Sequence, residues 1–376
     1  MKNTILISTA IYPPDIGGPA TFIKKLERQL VKSDYNVVII GLIDDKKYKF
    51  GKEGNVERIF IPRNNNYIFR TLRIIKTMIV KSRQSNAVFV NGLFIESAIS
   101  LIFSKKPAIS KFVGDPVWER YQNKNKTTMN LEEFFRSKSS LLRNILIFIY
   151  KKSFAKFQTI IFPSNYLAAF FKNIYSTKNT QAVIYNGIAS SEHIDTSTNF
   201  SREWDLIILS RLVKWKNIDL VLQNLENSNL KIIVVGDGSE LRYLKRLSNR
   251  SELNIFFSGK VSHEKSLEYL RKSKIFVQIS SYEGFSHSLL EAMSLGLLCI
   301  VSNIPAHREI IRNKFNGILV DLVDVTKLKE IILDILQNQE LVSSICLNAK
   351  KTVAERFTDE ISINNYLKEI NRMLDN

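Results

Sequence analysis

The sequence predicts an α/β protein built from two Rossmann-like domains in tandem, each with a parallel sheet. Three observations support this: the chain has 376 residues, strand-like apolar runs alternate with amphipathic helical segments, and the alternation stops once and then restarts. The interruption is polar and aperiodic, which is typical of a linker. We therefore expect an N-terminal domain at 1–187, a linker at 188–203, a second domain at 204–355 and a C-terminal helix at 356–376.

Each predicted strand is a short run of apolar and β-branched residues that ends at a turn signal. Those of the first domain are ILISTA (5–10), NVVIIGL (36–42), AVFVNGL (87–93), AISKFVG (108–114), TIIFPS (159–164) and AVIYNG (182–187). Those of the second are DLIILSRL (205–212), KIIVVGDG (231–238), NIFFSGKV (254–261), KIFVQIS (274–280), LCIVSN (298–303) and GILV (317–320). Strands that alternate with helices predict parallel sheets with crossover helices.

The positive charge is confined to one half of the chain. Residues 1–190 contain 30 Lys and Arg but 12 Asp and Glu, whereas residues 191–376 contain 24 of each, so the first half carries the whole net charge of +18. A biased codon usage would add positive charge to both halves equally, which is not observed. A one-sided basic surface attracts polyanions, which include anionic lipid head groups and phosphorylated acceptors. No apolar run approaches the ~20 residues of a membrane span, and two cysteines exclude a disulfide framework.

The strongest motif pairs two carboxylates in SYEGFSHSLLE (281–291). Glu283 follows a predicted strand and precedes a Gly-containing turn, and Glu291 falls about two turns into the next helix. Backbone N–H groups at the start of that helix suit an anion such as a diphosphate. Carboxylates on either side accept hydrogen bonds from sugar and ribose hydroxyls. The motif therefore suits a ligand that carries both an anionic group and hydroxyl groups.

The E-x7-E spacing, with EGF, LLEAM and the later NG in register, resembles the retaining glycosyltransferases of family 4, which have the GT-B fold. The resemblance implies two domains that face a central cleft, with the C-terminal helix packed back on the first. It also implies that Glu283 contacts the transferred sugar and Glu291 the ribose hydroxyls. The amides of Phe285 and Ser286 would contact sugar and phosphate.

A second motif, LSRLVKWKNID (209–219), places two cations where a strand ends and a helix begins. Arg211 and Lys216 are positioned to neutralise a diphosphate leaving group. The segment resembles the R-x4-K pair of the same family, in which a glycine usually follows the lysine. Here Asn217 takes that place, and asparagine is a reasonable cap residue.

The remaining donor-side candidates are weaker motifs. Gly17 and Gly18 form a paired-glycine loop that lets a backbone approach a ligand, or else a plain tight turn. The loop resembles the N-terminal glycine loop of the family. The segment around Val261 resembles the family's nucleobase border, and VVGDGSE (234–240) is either a ligand contact or a simple turn.

In the first domain many relatives use a histidine against the sugar, but all four histidines of this chain lie at or after position 193. Asp115, after a strand in VGDPVWER (113–120), is the candidate for the equivalent catalytic position, with a structural turn as the alternative. Asn91 is a weaker candidate. The divergent stretch 121–158 predicts a basic amphipathic helix, which lies either in a membrane interface or in the protein as a crossover helix.

These observations predict a metal-independent hexosyltransferase without a cofactor, whose donor is a nucleoside diphosphate sugar and whose acceptor is a glycan or a lipid-linked sugar. No D-x-D triplet is present. We expect a cytoplasmic enzyme of cell-surface polysaccharide assembly, with an anionic membrane as a further partner of the basic domain. The alternatives are a GT-B nucleotide-sugar epimerase, a non-catalytic polyanion-binding protein and a degenerate transferase. No nucleic-acid module is recognisable.

Overall fold

The computed structural model describes residues 2–15, 18–44, 51–64, 66–124, 127–189, 202–249 and 253–375. The chain divides into two compact units. The first comprises Met1–Val117, Ser139–Ile184 and Ser362–Asn376, and the second comprises Trp118–Lys138 and Tyr185–Ile361. Residues 118–138, which the sequence grouped with a first domain of 1–187, thus belong to the second unit. The predicted linker 188–203 lies mostly outside the described residues.

The first unit contains an eight-stranded sheet in the order β3-β4-β2-β1-β5-β6-β7-β8. The strands are β1 (Thr4–Thr9), β2 (Asn36–Ile43), β3 (Gly51–Glu53), β4 (Val56–Pro62), β5 (Ala87–Asn91), β6 (Ala108–Lys111), β7 (Thr159–Phe162) and β8 (Thr180–Val183). All neighbours pair in parallel except β3 with β4. The six predicted strands are confirmed. The edge strand β3 and its neighbour β4 were missed because β3 has no apolar residue and Glu57 and Arg58 interrupt β4.

Helices cover both faces of this sheet. They are α1 (Gly18–Lys32), α2 (Tyr67–Arg83), α3 (Phe94–Ser104), α6 (Leu141–Phe154) and α7 (Asn165–Tyr175). Between α3 and α6 the chain also forms α4 (Pro116–Asn123), which spans the boundary of the two units, and α5 (Leu131–Arg136), which belongs to the second unit. The C-terminal helix α15 (Asp359–Asp375) packs with α1 against the face that carries Ile5 and Ile7. The Oγ atoms of Ser8 and Ser97 are 2.9 Å apart, so α3 lies on the opposite face.

The sequence predicted one basic amphipathic helix for the divergent stretch 121–158, and this prediction is wrong. The stretch contains the end of α4, then α5 and α6, which residues 137–140 separate. The side chain of Ser140 caps α6 by accepting from the amide of Arg143. Because α6 connects β6 to β7 and these strands pair in parallel, it is a crossover helix. No helix in the described ranges is long and apolar enough to span a membrane.

The second unit contains six parallel strands in the order β11-β10-β9-β12-β13-β14. They are β9 (Trp204–Leu209), β10 (Lys231–Val235), β11 (Asn254–Gly259), β12 (Ser273–Gln278), β13 (Leu298–Ser302) and β14 (Ile318–Val320), and all six were predicted. The helices are α8 (Ile218–Asn224), α9 (Leu241–Ser248), α10 (His263–Arg271), α11 (His287–Ser294), α12 (Pro305–Arg308), α13 (Leu328–Gln337) and α14 (Gln339–Arg356). Two parallel-sheet units confirm the predicted fold class.

Numbered from β9, the second sheet has the Rossmann strand order 3-2-1-4-5-6. The order reverses between β9 and β12, and ligands of open parallel sheets bind beyond the carboxyl ends of strands at such a point. The segment that carries Arg211 and Lys216 follows β9 directly, and the segment that carries Glu283 follows β12. The fold therefore brings the two strongest sequence motifs to the same edge of one sheet.

Candidate active site

Glu283 lies at the centre of a hydrogen-bonded group beyond β12. Its Oε1 accepts from Nζ of Lys216, from Nε2 of Gln278 at 2.7 Å and from Oγ of Ser280 at 2.7 Å. The residue is only 9% exposed. A buried carboxylate is tolerated when charged and polar donors satisfy it, as these three do. Gln278 and Ser280 were not identified from the sequence.

The charge state of Glu283 follows from two opposing effects. Burial raises the pKa of this carboxyl, but Lys216, His307 and the hydrogen bond from Ser280 together lower it more, so the pKa lies below its ordinary value. Glu283 is therefore ionised at neutral pH. An ionised carboxylate is purely a hydrogen-bond acceptor, which suits contact with hydroxyl groups.

His307 is linked by hydrogen bonds to the strand end that precedes Glu283. Its Nδ1 donates to the carbonyl of Ser302 at 2.8 Å, and Oγ of Ser302 donates to the carbonyl of Ser280 at 2.6 Å. Burial lowers the pKa of His307 to about 4, although the Glu283 carboxylate acts in the opposite direction. The imidazole is neutral at pH 7, and within the described part of the chain its Nε2 is buried without a hydrogen-bond partner. His307 thus positions Ser280 through Ser302.

Glu291 lies on the helix that follows Glu283, as the sequence predicted; it is in the second turn of α11 and is partly exposed. Its Oε1 is 2.8 Å from Nε2 of His263, which is the first residue of α10. Ser262 caps α10 by accepting from the amide of Lys265, so the helix start is held in place. This contact orients Glu291, and the sequence analysis did not identify it because 28 positions separate the two residues.

The loop after β9 presents Arg211 at the surface, with its guanidinium carbon 5.6 Å from the centre of the Trp215 ring. The turn at Gly236 braces this loop: a Cβ at Gly236 would lie 1.9 Å from the carbonyl oxygen of Ser210. The amide of Leu212 donates to the carbonyl of Asp237 at 2.9 Å. These contacts favour the alternative that VVGDGSE (234–240) is a simple turn, and this turn holds the Arg211 loop in place.

Lys216 ends a 3₁₀ turn, Lys214–Lys216, and Asn217 follows it in the left-handed conformation with φ 50°. Asparagine tolerates this conformation better than other non-glycine residues, so it fits the position at which the resemblance implies a glycine. Asparagine is a reasonable cap residue, but the Asn217 side chain makes no cap bond to α8 and instead donates to the carbonyl of Ile279 at 2.9 Å. It therefore ties the Lys216 turn to the strand end before Glu283.

Ser286 caps α11: its Oγ accepts from the amide of Leu289 at 3.2 Å and donates to Oε1 of Gln278 at 2.8 Å. Phe285 stacks on Tyr185 with ring centres 5.7 Å apart. Both predicted amide positions thus lie at the N-terminal end of α11. Val261 lies between β11 and α10 and packs against the core around Leu267.

Trp118 belongs to the second unit and packs beside the site. Its ring lies 5.6 Å from that of Trp215 and 5.8 Å from that of Tyr282, measured between centres. Its indole Nε1 donates to the carbonyl of Met129 at 3.0 Å. Trp215 precedes Lys216 and Tyr282 precedes Glu283, so Trp118 supports the backbone of both charged residues. The sequence alone did not indicate a role for Trp118.

Asp115 and Asn91 are the sugar-contact candidates of the first unit, and the bonds that the structure gives them are structural ones. Asp115 is fully buried: its Oδ1 accepts from the amide of Val117 at 2.9 Å and its Oδ2 from the hydroxyl of Tyr175 at 2.6 Å. These bonds favour the alternative of a structural turn residue at the start of α4. Asn91 ends β5, and its Nδ2 donates to Oγ1 of Thr9 at 3.3 Å. The proposed sugar contacts of Asp115 and Asn91 stay predictions.

The glycine loop leads into α1, which begins at Gly18. A Cβ at Gly18 would meet no protein atom within 4 Å, so the fold itself does not require glycine there. Gly17 lies outside the described residues. The preceding loop is held by Arg63, which donates to the Ala10 carbonyl at 2.9 Å and forms an ion pair with Asp15.

No group of three or more His, Cys, Asp or Glu side chains with the arrangement of a metal site occurs among the residues that the structure describes. Cys299 and Cys346 are both free thiols. Burial raises the pKa of the Cys299 thiol well above its ordinary value, so this cysteine stays protonated in the core.

Comparison with known proteins finds a family match within the second unit. Residues 190–352 match the family model described as Glycosyl transferases group 1. Over its whole length the chain is 26% identical to an uncharacterized glycosyltransferase, MJ1069, of Methanocaldococcus jannaschii, with 99% of each chain covered. It is 33% identical over 96 residues to an Escherichia coli UDP-Gal:alpha-D-GlcNAc-diphosphoundecaprenol alpha-1,3-galactosyltransferase, which covers 25% of this chain and 24% of that one.

Among solved structures the fold resembles Anabaena Alr3699/HepE in complex with UDP-glucose. The TM-score is 0.73 at 15% identity, with 98% of this chain and 99% of that chain covered. At this identity the likeness shows the fold alone, which is GT-B. The predicted fold is confirmed, and the comparisons support the coarser prediction that the chain is a glycosyltransferase. Hexose transfer, retention and metal independence stay predictions.

Proposed function

We propose that this chain, a group 1 glycosyltransferase with the GT-B fold, transfers a hexose from a nucleoside diphosphate sugar to a glycan or a lipid-linked acceptor. The observation that carries the proposal is the meeting of Lys216 and Glu283 at the switch point of the second sheet, with Glu291 on the helix that follows. A cation for phosphate and two carboxylates for hydroxyls are the groups that a nucleotide sugar requires.

The donor in this proposal is a UDP-sugar. The support is indirect: the HepE structure of the same fold was solved with UDP-glucose, and the E. coli relative is named for UDP-Gal. In this chain Glu291 would accept from the ribose hydroxyls, with its carboxylate held by His263. Val261 would border the base.

The chemistry follows from the charges around the leaving group. Breaking the bond from sugar to diphosphate leaves negative charge on the β-phosphate, and fixed cations placed there lower the barrier. Arg211, Lys216 and the amides of Phe285 and Ser286 at the start of α11 would supply this stabilisation. Because these groups belong to the chain, the transfer proceeds without a metal ion or cofactor.

Glu283 acts in this scheme as an acceptor for sugar hydroxyls. Its oxygen Oε1 already receives three hydrogen bonds, which hold the carboxylate in one orientation. The acceptor attacks on the face from which the diphosphate leaves, so the anomeric configuration is retained. No residue is assigned as a covalent nucleophile.

The biological setting that we propose is cell-surface polysaccharide assembly in the cytoplasm, at the inner face of the membrane. The E. coli relative is named for a lipid-diphosphate acceptor, which supports a lipid-linked substrate. The excess of 18 positive charges in residues 1–190 would favour a phosphorylated acceptor.

The test is a thermal-shift screen of the full chain against nucleoside diphosphates and their sugars. A ligand that binds only the folded state raises Tm by mass action. We expect a shift selective for UDP and its sugars that is lost in Glu291→Ala and Arg211→Ala. The matched controls are Glu340→Ala and Arg246→Ala, which remove the same charges from exposed helix positions of the second unit.

Sugar release is then measured with and without a lipid-linked acceptor. Transfer that requires the acceptor supports the proposal. Formation of an epimer without acceptor indicates a nucleotide-sugar epimerase. No shift with any nucleotide, in protein that melts cooperatively, overturns the donor site.

A further inference from the structure

Three adjoining helices of the first unit expose large apolar side chains. Helix α3 packs against both α2 and α6, so the three form one layer on the sheet face opposite α1 and α15. We call their outward surface the α2–α3–α6 face. Its exposed apolar residues are Tyr67, Ile68, Phe69, Leu72, Val80, Ile102, Phe103, Leu141, Leu142, Ile145, Phe148 and Ile149.

These residues are not needed to hold the helices in place. Helix α6 is already anchored by the buried side chains of Leu146 and Phe154, and the Phe154 ring lies 5.2 Å from that of Phe94 on α3. Helix α2 is anchored by Ile74 and Met78. Single exposed apolar residues are ordinary, but a contiguous group on neighbouring helices marks an interaction surface.

The charged residues on the two outer helices, α2 and α6, are all cationic. Helix α2 contains five Lys and Arg and no acidic residue, and α6 contains three and none. Arg73, Lys76 and Lys152 are exposed. The acidic residue of α3, Glu96, has its pKa raised by burial. Apolar and cationic side chains therefore share the face without compensating anions on its two outer helices.

We propose that the α2–α3–α6 face binds the surface of an anionic lipid bilayer. Large apolar side chains flanked by Lys and Arg are the chemistry of a helix surface that lies in the membrane interface. The apolar residues enter the boundary between head groups and acyl chains, and the cations pair with lipid phosphates.

A bilayer fits this surface better than the other occupants. Nucleic acid would neutralise the cations but leave the apolar side chains in water. A second copy of the chain across a two-fold axis would bury the apolar residues, but it would place like charges against each other. Only an anionic membrane satisfies both sets of residues.

The inference concerns a surface separate from the donor-binding residues, so its test does not depend on the proposed transfer. The full chain is co-sedimented with vesicles of phosphatidylcholine alone and of phosphatidylcholine with phosphatidylglycerol. We expect binding to the anionic vesicles only. Binding should weaken as added salt shortens the Debye length below ~10 Å.

The apolar contribution is tested with Phe69→Ser/Leu141→Ser, whose side chains are 73% and 79% exposed. Removing two apolar side chains that would enter the membrane should lower the vesicle partition constant on the order of 100-fold. The matched control is Val323→Ser/Leu347→Ser, at positions 86% and 68% exposed in the second unit. The control should bind like the unmodified chain. Equal losses in both pairs would overturn the assignment of the face.

The charge contribution is tested with Arg73→Gln/Lys76→Gln. Each cation near an anionic surface strengthens binding about fivefold, so the pair should lose about 25-fold. The control Lys245→Gln/Arg246→Gln removes the same charge from exposed positions of α9 and should lose much less.

Three results would overturn the proposal. The first is absence of binding to anionic vesicles at low salt by the folded chain. The second is equal binding to neutral vesicles. The third is a dimer in solution that Phe69→Ser/Leu141→Ser dissociates. Glu283→Gln is expected to bind vesicles normally, so a failed transfer assay and a failed membrane assay are distinguishable.

Discussion

Lys216 and Glu283 form an ion pair in which the ammonium donates to the carboxylate oxygen Oε1. The resemblance assigns the lysine to the donor phosphate and the glutamate to the transferred sugar, so the pair joins the two halves of the predicted chemistry. A bound diphosphate would compete with Glu283 for Lys216. The pair therefore couples the position of the sugar-binding carboxylate to the charge of the leaving group.

Glu283→Gln should lower kcat/KM for transfer about 10- to 100-fold. The reason is the loss of one charge-assisted hydrogen bond, which contributes about 1.5–3 kcal/mol. Steady-state transfer rates provide the measurement, and Glu340→Gln is the control. In the double variant Glu283→Gln/Lys216→Met, the loss of kcat/KM should be smaller than the two single losses combined, because the residues are in contact. Strict additivity would show that the ion pair has no role in transfer.

His263→Ala should weaken nucleotide binding by about 3- to 10-fold. The imidazole Nε2 is 2.8 Å from Oε1 of Glu291, and an ordinary hydrogen bond contributes about 0.5–1.5 kcal/mol. Titration calorimetry with UDP measures the effect. His263→Gln retains a donor and should recover most of the affinity. An unchanged Kd in His263→Ala would mean that this contact does not orient Glu291 for binding.

Trp118→Ala should destabilise the chain by about 3–5 kcal/mol, because a buried aromatic side chain is removed from its contacts with Trp215 and Tyr282. Denaturant unfolding followed by circular dichroism measures the loss. Trp118→Phe keeps most of the packing and should cost less. If Trp118 also positions the site, Trp118→Phe should lower donor affinity while the protein stays folded. Unchanged affinity would limit the residue to stability.

Glu27→Gln should destabilise the first unit by about 1–3 kcal/mol at neutral pH. Glu27 is buried and accepts from Arg58 at 2.6 Å and from Lys24 at 2.8 Å, with a further bond from Tyr12. Burial raises the pKa of Glu27, but these donors lower it more, so it lies below its ordinary value of 4.5.

A lowered folded-state pKa means that the carboxylate contributes stability above pH 4.5 and loses it as the pH falls through the folded value. The stability difference between the unmodified chain and Glu27→Gln should thus be constant near neutrality and shrink in acid. Thermal melts across pH measure it. Glu53→Gln is the control, since Glu53 contacts the same Arg58 but is exposed. A difference that grows in acid would contradict the assigned sign.

The sequence by itself determined the two-unit α/β architecture, all strands of the described residues except β3 and β4, and the positions of the charged motifs after β9 and β12. These features are local: apolar periodicity and turn residues act within one element, and parallel strands place their following loops at one sheet edge. The motif residues Arg211, Lys216, Glu283 and Glu291 could be identified for the same reason.

The tertiary structure alone decided which side chains meet. The partners of Glu283 include Lys216, 67 positions away, and Glu291 contacts His263, 28 positions away. It also placed Trp118 beside Trp215, buried Asp115 and left the outward residues of α6 uncovered. Burial and partner choice depend on how distant elements pack, so periodicity within a segment does not contain them.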